Sequence, residues 1–345
     1  MPTTQKSLVL DKKFGNLVIQ DTEIYKPGPG EILIKVQATS LNPVDWKIQK
    51  YGAFLEEFPA VLGTDVAGDV EELGEGVTEF KKGDRVFIQG RFENRASSFQ
   101  QYTTAVAESV ARIPPNFTYE QVAALPVVLT CAYVGLYNQQ PYGLGIAPPV
   151  DESTQGTYAG TPIVVLGGAT SVGQIALQLA KLSGFSPIFT TASLKHTEFL
   201  KSLGATAVLD RSLSSSDIIS EIKKVTDKPI NLLYDAVSSA ATQQLGLDIL
   251  SAGGQMITVL PLAVKVPEDK KVIPILGLLR SPENVELTRT LYHDKIAGWL
   301  EKGVIKPNNI EILPNGLAGI PDGLKRMEAD QVSGLKLVAR PQETK

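Results

Sequence analysis

Residues 164–173 read V-V-L-G-G-A-T-S-V-G. An aliphatic run meets a glycine pair, and a third glycine follows. This is the form of a buried strand that stops at a phosphate-binding turn and resumes as a helix. A pyrophosphate on a helix N-terminus needs backbone N–H groups and no Cβ in the way. Gly167 and Gly168 permit the tight turn, and Gly173 lets the helix pack close to the strand. The fingerprint G-x-G-x-x-G is nevertheless incomplete, because Thr170 stands at its middle position. An ordinary turn of small residues would look the same locally, so the surroundings must decide.

They favour a dinucleotide. Pro162–Leu166 reads as a short buried strand, and Ser171–Leu182 as a helix with an apolar stripe at Val172, Ile175, Ala176, Leu179 and Leu182, closed by Gly184. Strand-like pieces follow at 187–191, 207–209, 230–234, 255–260 and 272–276, with a helix at 197–203. Alternating strands and helices imply a doubly wound parallel sheet. Gly168, Ala169, Thr170, Ser171, Val172 and Gly173 are then the expected phosphate cradle, the Thr170 and Ser171 hydroxyls donating where the standard motif offers only backbone. Val237, Val259 and Leu260 end later strands and are expected to face the nicotinamide and ribose, since ligands bind at the carboxyl ends of such strands.

The second strand tells which dinucleotide. An NAD site places Asp or Glu about 20 residues beyond the turn, against the ribose 2′-hydroxyl. Here no acid lies between Gly184 and Glu198; Ser193, Lys195 and His196 occupy the region, and Arg211 follows the third strand. These donors suit a 2′-phosphate, so the expected cofactor is NADP(H).

The first 110 residues read as β. Glu31–Thr39, Val61–Val70 and Asp84–Ile88 are strand-like runs separated by glycine turns, which suggests a barrel or sandwich. Residues 139–160 form a long loop, 288–302 a helix, and 335–339 a strand that returns to the β domain. Asn42-Pro43 reads as a turn, with Asp45 shaping it or pairing with a lysine. Trp46 and Phe54 read as core residues or as the lining of an apolar cleft.

The 345-residue chain calls for two domains. Charged residues make up 20% and the net charge is −4 without any basic block, which argues against nucleic acid as a partner. No apolar run reaches the roughly 18 residues of a membrane helix. Residues 1–5 lack the apolar region of a signal peptide. One cysteine, Cys131, allows no internal disulfide and reads as a small buried residue. His293 reads as structural or solvated. A cytoplasmic protein is the expectation.

Four stretches in order carry a resemblance: G-T-D-V-A-G-D-V-E-E-L-G-E-G-V-T-E-F-K-K-G-D-R-V (63–86), A-L-P-V-V-L-T-C-A-Y (124–133), the glycine turn, and S-G-L-K-L-V (333–338). The chain resembles the medium-chain dehydrogenase/reductase superfamily along nearly its whole length. The resemblance implies an α/β fold: a GroES-like β-barrel catalytic domain (1–125 and 286–345) and a Rossmann doubly wound parallel-sheet cofactor domain (126–285). Where zinc members of that superfamily have a Cys this sequence has Asn42-Pro43-Val44-Asp45, and where they have a His it has Gly63-Thr64. With these ligands absent the expected branch is zinc-free, with no metal. S-L-N-P-V-D-W-K (40–47) is similar to fungal trans-acting enoyl reductases and their toxD-like relatives.

What the resemblance implies is an NADPH-dependent, metal-free reduction of the C=C bond of α,β-unsaturated carbonyls. The substrate is a small enone or enal, or an enoyl group held on a carrier; the chain is a monomer or homodimer. Lys47 matches the active-site lysine of the fungal enzymes, as enolate stabiliser or proton donor, and Thr130 is expected near the nicotinamide amide or substrate oxygen. Asn42, Pro43 and Lys336 are carried over as cofactor contacts. Two other readings stay open: a quinone oxidoreductase, and an NADPH-binding protein with little catalysis.

Overall fold

The computed structural model describes residues 3–345. The chain divides into two compact units. Unit one contains the residues up to Val127 together with Arg289–Lys302 and Pro307–Lys345; unit two contains Val128–Thr288 and Gly303–Lys306.

In unit one the order is β1 (Thr4–Leu10), β2 (Leu17–Glu23), β3 (Glu31–Ser40), α1 (Pro43–Tyr51), β4 (Ala60–Val61), β5 (Asp65–Leu73), β6 (Arg85–Gln89), β7 (Tyr102–Val106), β8 (Ala111–Arg112) and α2 (Tyr119–Ala123). β2-β1-β4 make a small sheet. β3 is the longest strand of the larger one and pairs antiparallel with β5 and β7. Its alternation of aliphatic and polar residues buries Ile32, Ile34 and Val36.

α3 (Pro126–Tyr137) leads into unit two, followed by β9 (Ile163–Leu166), α4 (Ser171–Ser183), β10 (Ile188–Ala192), α5 (Thr197–Leu203), β11 (Ala207–Asp210), α6 (Ser215–Val225), β12 (Leu232–Asp235), α7 (Ala240–Ile249), β13 (Gln255–Thr258), β14 (Lys271–Pro274) and α8 (Val285–Arg289). The six strands form one sheet in the order β11-β10-β9-β12-β13-β14, every pairing parallel. The direction of winding reverses between β9 and β12, and at such a switch point ligands bind. Val164, Leu166, Phe189, Leu233 and Met256 are buried on this sheet against Ile218, Ile222 and Leu247 of the covering helices.

α9 (Ile296–Glu301), β15 (Asn309–Ile312), α10 (Ile320–Glu328) and β16 (Leu335–Ala339) then complete unit one. β16 pairs antiparallel with β3 through Val338–Ser40 and Ala339–Thr39. Leu313, Leu317, Ile320, Leu324 and Leu337 share one core with Leu8, Leu10, Leu41, Ile48 and Leu62.

Three expectations are corrected. The run 61–70 is not one strand: Gly63 takes a left-handed conformation (φ 77°), its ideal Cβ would lie 2.2 Å from the Phe99 ring, and the chain breaks between β4 and β5. Asn42-Pro43 opens a helix rather than a turn. Asn42 is the N-cap of α1, Pro43 its first residue, and Asp45 Oδ2 accepts the Asn42 N–H at 2.8 Å. The helix at 288–302 is interrupted by a π turn at Thr290–Lys295 that buries Leu291 and Tyr292.

Candidate functional site

The glycine turn joins β9 to α4, and each glycine answers a different constraint. Gly167 has φ 77°, and an added Cβ would meet the Val237 side chain at 2.4 Å. A Cβ on Gly168 would lie 2.1 Å from Thr190 Oγ1, and one on Gly173 would lie 2.3 Å from the Gly167 carbonyl. Thr170 needs no glycine: with φ −68° and ψ 157° it is the N-cap of α4, and its Oγ1 accepts the Gly173 N–H at 3.0 Å. The threonine therefore spends an acceptor lone pair on the helix end and keeps its O–H as a donor. The turn is fastened to β10 by Gly167 N–H to Thr191 Oγ1 (3.1 Å) and Gly168 N–H to the Thr191 carbonyl (3.0 Å). Ala169, Ser171 and Val172 are half-buried at the same end.

At the end of β10, Ser193 is half-buried, Lys195 exposed and His196 half-buried. Burial and then the positive charges of Lys195 and Arg211 hold His196 below the ordinary histidine range. The two cations and the imidazole therefore share one locality. Asp210, at the end of the neighbouring β11, points into its own turn, where Oδ1 accepts the Ser212 N–H and hydroxyl at 2.9 and 2.8 Å. The local field is that of an anion site.

Across the switch point, Asp235 ends β12. Its Oδ1 accepts the N–H groups of Val237 (3.0 Å) and Ser238 (2.8 Å). Ser238 is buried and left-handed (φ 59°); its hydroxyl donates to the Asp235 carbonyl and accepts the Val259 N–H at 2.8 Å. Gln243 of α7 ties the same loop to the segment after β13, donating to the carbonyls of Ser238 and Pro261 and accepting the Ala263 N–H. Val237 is exposed over the glycine turn, and Val259 and Leu260 are half-buried. Gln243 had no sequence signal, since a helix glutamine ordinarily reads as surface.

Unit one holds a buried polar cluster. Asp65, at the start of β5, is fully buried. Its Oδ2 accepts from the Ser40 hydroxyl, Asn42 Nδ2 (2.8 Å) and Lys336 Nζ (2.7 Å), and its Oδ1 from the Val127 N–H (2.7 Å). Lys336 Nζ also donates to Asn42 Oδ1 at 2.9 Å. Lys336 is thus a buried member of an ion pair, not a surface residue of its strand. Asp45 is buried beside them, but it takes the Asn42 N–H instead of a lysine, and burial pushes its carboxyl up to about 7. Pro43, next to this cluster, is exposed. Asp65 was missed by sequence reasoning, although an acid inside an otherwise apolar run was the available signal.

Lys47 lies two residues further along α1. It is half-buried, burial lowers it from the ordinary lysine range, and no carboxylate among the described residues lies within ion-pair distance. Its Nζ sits 5.5 Å from the centre of the half-buried Trp46 ring. Thr130 is buried in α3. Cys131, expected to be buried, is half-exposed. Phe54 is not a core residue: it is exposed and stacks against Phe92, with centroids 6.2 Å apart. His293 lies in the π turn between Asp294 (2.7 Å) and Glu79 (3.3 Å), which raise it above the ordinary histidine range.

Comparison with known proteins places this geometry. The model of the alcohol dehydrogenase GroES-like domain matches residues 28–115, and that of the zinc-binding dehydrogenases matches residues 171–282. A zinc-type alcohol dehydrogenase-like protein of Schizosaccharomyces pombe is 30% identical, over 97% of this chain and 99% of that protein. A trans-enoyl reductase of Fusarium sp. (strain FN080326) is 31% identical, over 98% and 99%. A mycobacterial protein solved in complex with NADPH shares the fold at a TM-score of 0.76 and 22% identity, over 98% of this chain and 100% of that one. The metal in the second model's name does not fit the residues present. In the cluster Asn42 supplies only an amide, and the Asp65 carboxylate is already paired with the Lys336 ammonium, whose charge opposes a cation. Among the described residues no group of three or more His, Cys, Asp or Glu side chains is arranged to hold a metal ion.

Proposed function

The chain belongs to the medium-chain dehydrogenase/reductase superfamily, in its enoyl reductase branch, and from that premise we propose that it is an NADPH-dependent reductase of the C=C bond of α,β-unsaturated carbonyl compounds. It is an oxidoreductase with a nucleotide cofactor; the nature of the acceptor and the choice of NADPH are our reading. The observation that carries it is Lys47, a half-buried ammonium with no carboxylate partner among the described residues, on a helix whose start is held by the Asn42–Asp65–Lys336 cluster.

NADPH, when bound, supplies the hydride taken up by the β-carbon of the acceptor. The chain's own residues do the rest. The Lys47 ammonium meets the negative charge that develops on the carbonyl oxygen, or delivers the proton to the α-carbon. The Thr130 hydroxyl orients the carbonyl or the carboxamide of the cofactor. The glycine turn and the first turn of α4 receive the pyrophosphate on backbone N–H groups, joined by the hydroxyls of Thr170 and Ser171. Ser193, Lys195, His196 and Arg211 receive the 2′-phosphate. Val237, Val259 and Leu260 border the nicotinamide and ribose. Lys336 gives two of its three N–H groups to Asp65 and Asn42, and the third is assigned to a cofactor phosphate beside Asn42 and Pro43.

A screen of NADPH oxidation against enals, enones, quinones and simple aldehydes tests the assignment. Enones and enals are expected to be turned over far faster than aldehydes. Equal rates with aldehydes, or turnover of quinones alone, would overturn it.

Cofactor choice gives a second expectation. Ser193→Asp places a carboxylate where none exists and is expected to lower the NADPH/NADH ratio of kcat/KM by about 10–100-fold, the scale of one charge-assisted contact. In the parent protein that ratio is expected to rise only as pH falls below the ordinary histidine range, because burial and the positive charges of Lys195 and Arg211 keep His196 neutral above it and a proton is taken up beside the 2′-phosphate only below it. A flat ratio, or better turnover with NADH, would remove the cations from the site.

A further inference from the structure

Among the described residues five non-glycine side chains adopt a left-handed backbone: Phe14, Phe54, Ser238, Asn315 and Asp330. Serine, asparagine and aspartate tolerate that region through short polar side chains; a phenylalanine there is strained. Ser238 is buried in the loop already described. Phe14 has the opposite character: it is 63% exposed although Gly15, the residue that suits a left-handed turn, stands next to it. The ring rests on Gly52 on one side and leaves the rest of its surface to solvent, so the strain holds an apolar face outward, which points to a ligand.

The surroundings say what kind. Phe14 lies against Gly52, the C-cap of α1, whose ideal Cβ would lie 2.8 Å from the ring. Gln49 Nε2 donates to the Gly15 carbonyl at 3.0 Å, fixing the turn after β1 to the helix. Tyr51, at the end of that helix, is 60% exposed and carries the Lys50 ammonium 5.8 Å from its ring centre. Lys12 and Lys13 are exposed, and Lys13 Nζ stands 5.6 Å from the centre of the Phe14 ring. Neither has a carboxylate partner among the described residues. Residues 11–16 and 46–52 together hold four lysines against one acid, Asp11, in a chain of net charge −4. Lys50 is the one already matched, by Glu328 at 2.5 Å.

We propose that Phe14 and Tyr51, with Lys12 and Lys13, form a docking surface for an acidic protein that presents the enoyl substrate on a carrier arm, its carboxylates meeting the lysines and an apolar side chain meeting the rings. The carrier part of this proposal rests on the reductase reading. Positive charge on a negatively charged chain is complementary to such a partner. Asp11 and Glu328, set among the lysines, make the pattern discrete, which suits the spaced carboxylates of a protein surface better than a uniformly anionic membrane.

The test uses the full chain and, as probe, an acidic bacterial acyl carrier protein in its holo and crotonyl forms. Binding of the holo carrier is measured at low and at 0.3 M salt, without turnover. The expected results are salt-sensitive binding by the parent chain, at least a tenfold weakening by Lys13→Glu and by Phe14→Gly, and a KM for the crotonyl thioester of N-acetylcysteamine changed by less than twofold. Phe14→Gly relieves the left-handed strain, so its melting temperature is expected not to fall. The surface is refuted by absent or salt-independent carrier binding, by variants that bind as the parent does, by an equal loss with the free thioester, or by anionic phospholipid vesicles that bind as tightly and show the same response to the variants. A parent chain that reduces neither thioester refutes the reductase reading instead, and the holo-carrier binding still decides the surface.

Discussion

Asp65→Ala is expected to cost about 3–5 kcal/mol of unfolding free energy, the scale for removing one partner of a buried ion pair. The variant strands the Lys336 ammonium, and with it the Ser40 hydroxyl, the Asn42 amide and the Val127 N–H, all of which donate to the lost carboxylate. Lys336→Met alone leaves Asp65 with three donors and is expected to cost less. The double variant is expected to be more stable than Asp65→Ala, because no unpaired charge then remains inside. Urea denaturation of the four proteins checks this. A loss below about 1 kcal/mol for Asp65→Ala, the range of an exposed pair, would mean that water reaches the pair.

Lys47→Ala is expected to lower kcat for an enone about 100-fold or more, the usual contribution of a positioned acid or base, with little change in cofactor binding. The direction of its perturbation fixes the pH profile. Burial lowers the ammonium from the ordinary lysine range, so the charged form is lost as pH rises through that lowered value, and kcat falls with it. The alkaline limb should vanish in Lys47→Ala. Lys47→Arg separates the two roles left to this residue. Arginine keeps the charge and does not give up its proton, so partial activity without an alkaline limb marks electrostatic stabilisation, and inactivity marks proton delivery. An unchanged rate in Lys47→Ala would remove this side chain from the chemistry.

Local signals carried much of the fold. The aliphatic run, the glycine turn and the stripe from Val172 to Leu182 were legible because strand, turn and helix each follow from neighbours along the chain. The same holds for α5, expected and found at 197–203. Where a reading failed, the deciding contact was distant or two local signals competed. Asn42-Pro43 reads as a turn by composition, yet the same residues with Asp45 are an N-cap, a first-turn proline and an acid at the third helical position; the cap reading prevails because Ile48 reaches the core. Gly63 looks like one glycine inside a strand until Phe99, far along the chain, occupies the space beside it. Phe54 counts as apolar in any pattern, and only the fold leaves it outside.

The candidate site was legible to the same extent. The acid-free end of β10 was visible as an absence in the sequence, and the shared influence of Lys195 and Arg211 on His196 gives it a location. The Asp65–Lys336 pair was not visible, because 271 positions separate its members and no periodicity links them.

That separation bears on the order in which the protein forms. Unit two is almost one continuous stretch, Val128–Thr288, and can gather its sheet while the rest of the chain is still being synthesised. Unit one cannot. β3 waits for Val338 and Ala339, and the carboxylate of Asp65 waits for the ammonium of Lys336. β1 and β3 are thus made before unit two yet belong to the last unit to close, with the open flank of β3 and the apolar faces of Leu8, Leu10 and Leu41 uncovered until residue 339 has emerged. The nascent chain is therefore most vulnerable to association at β1 and β3, and a chaperone that shields it must hold those strands until β16 has been made.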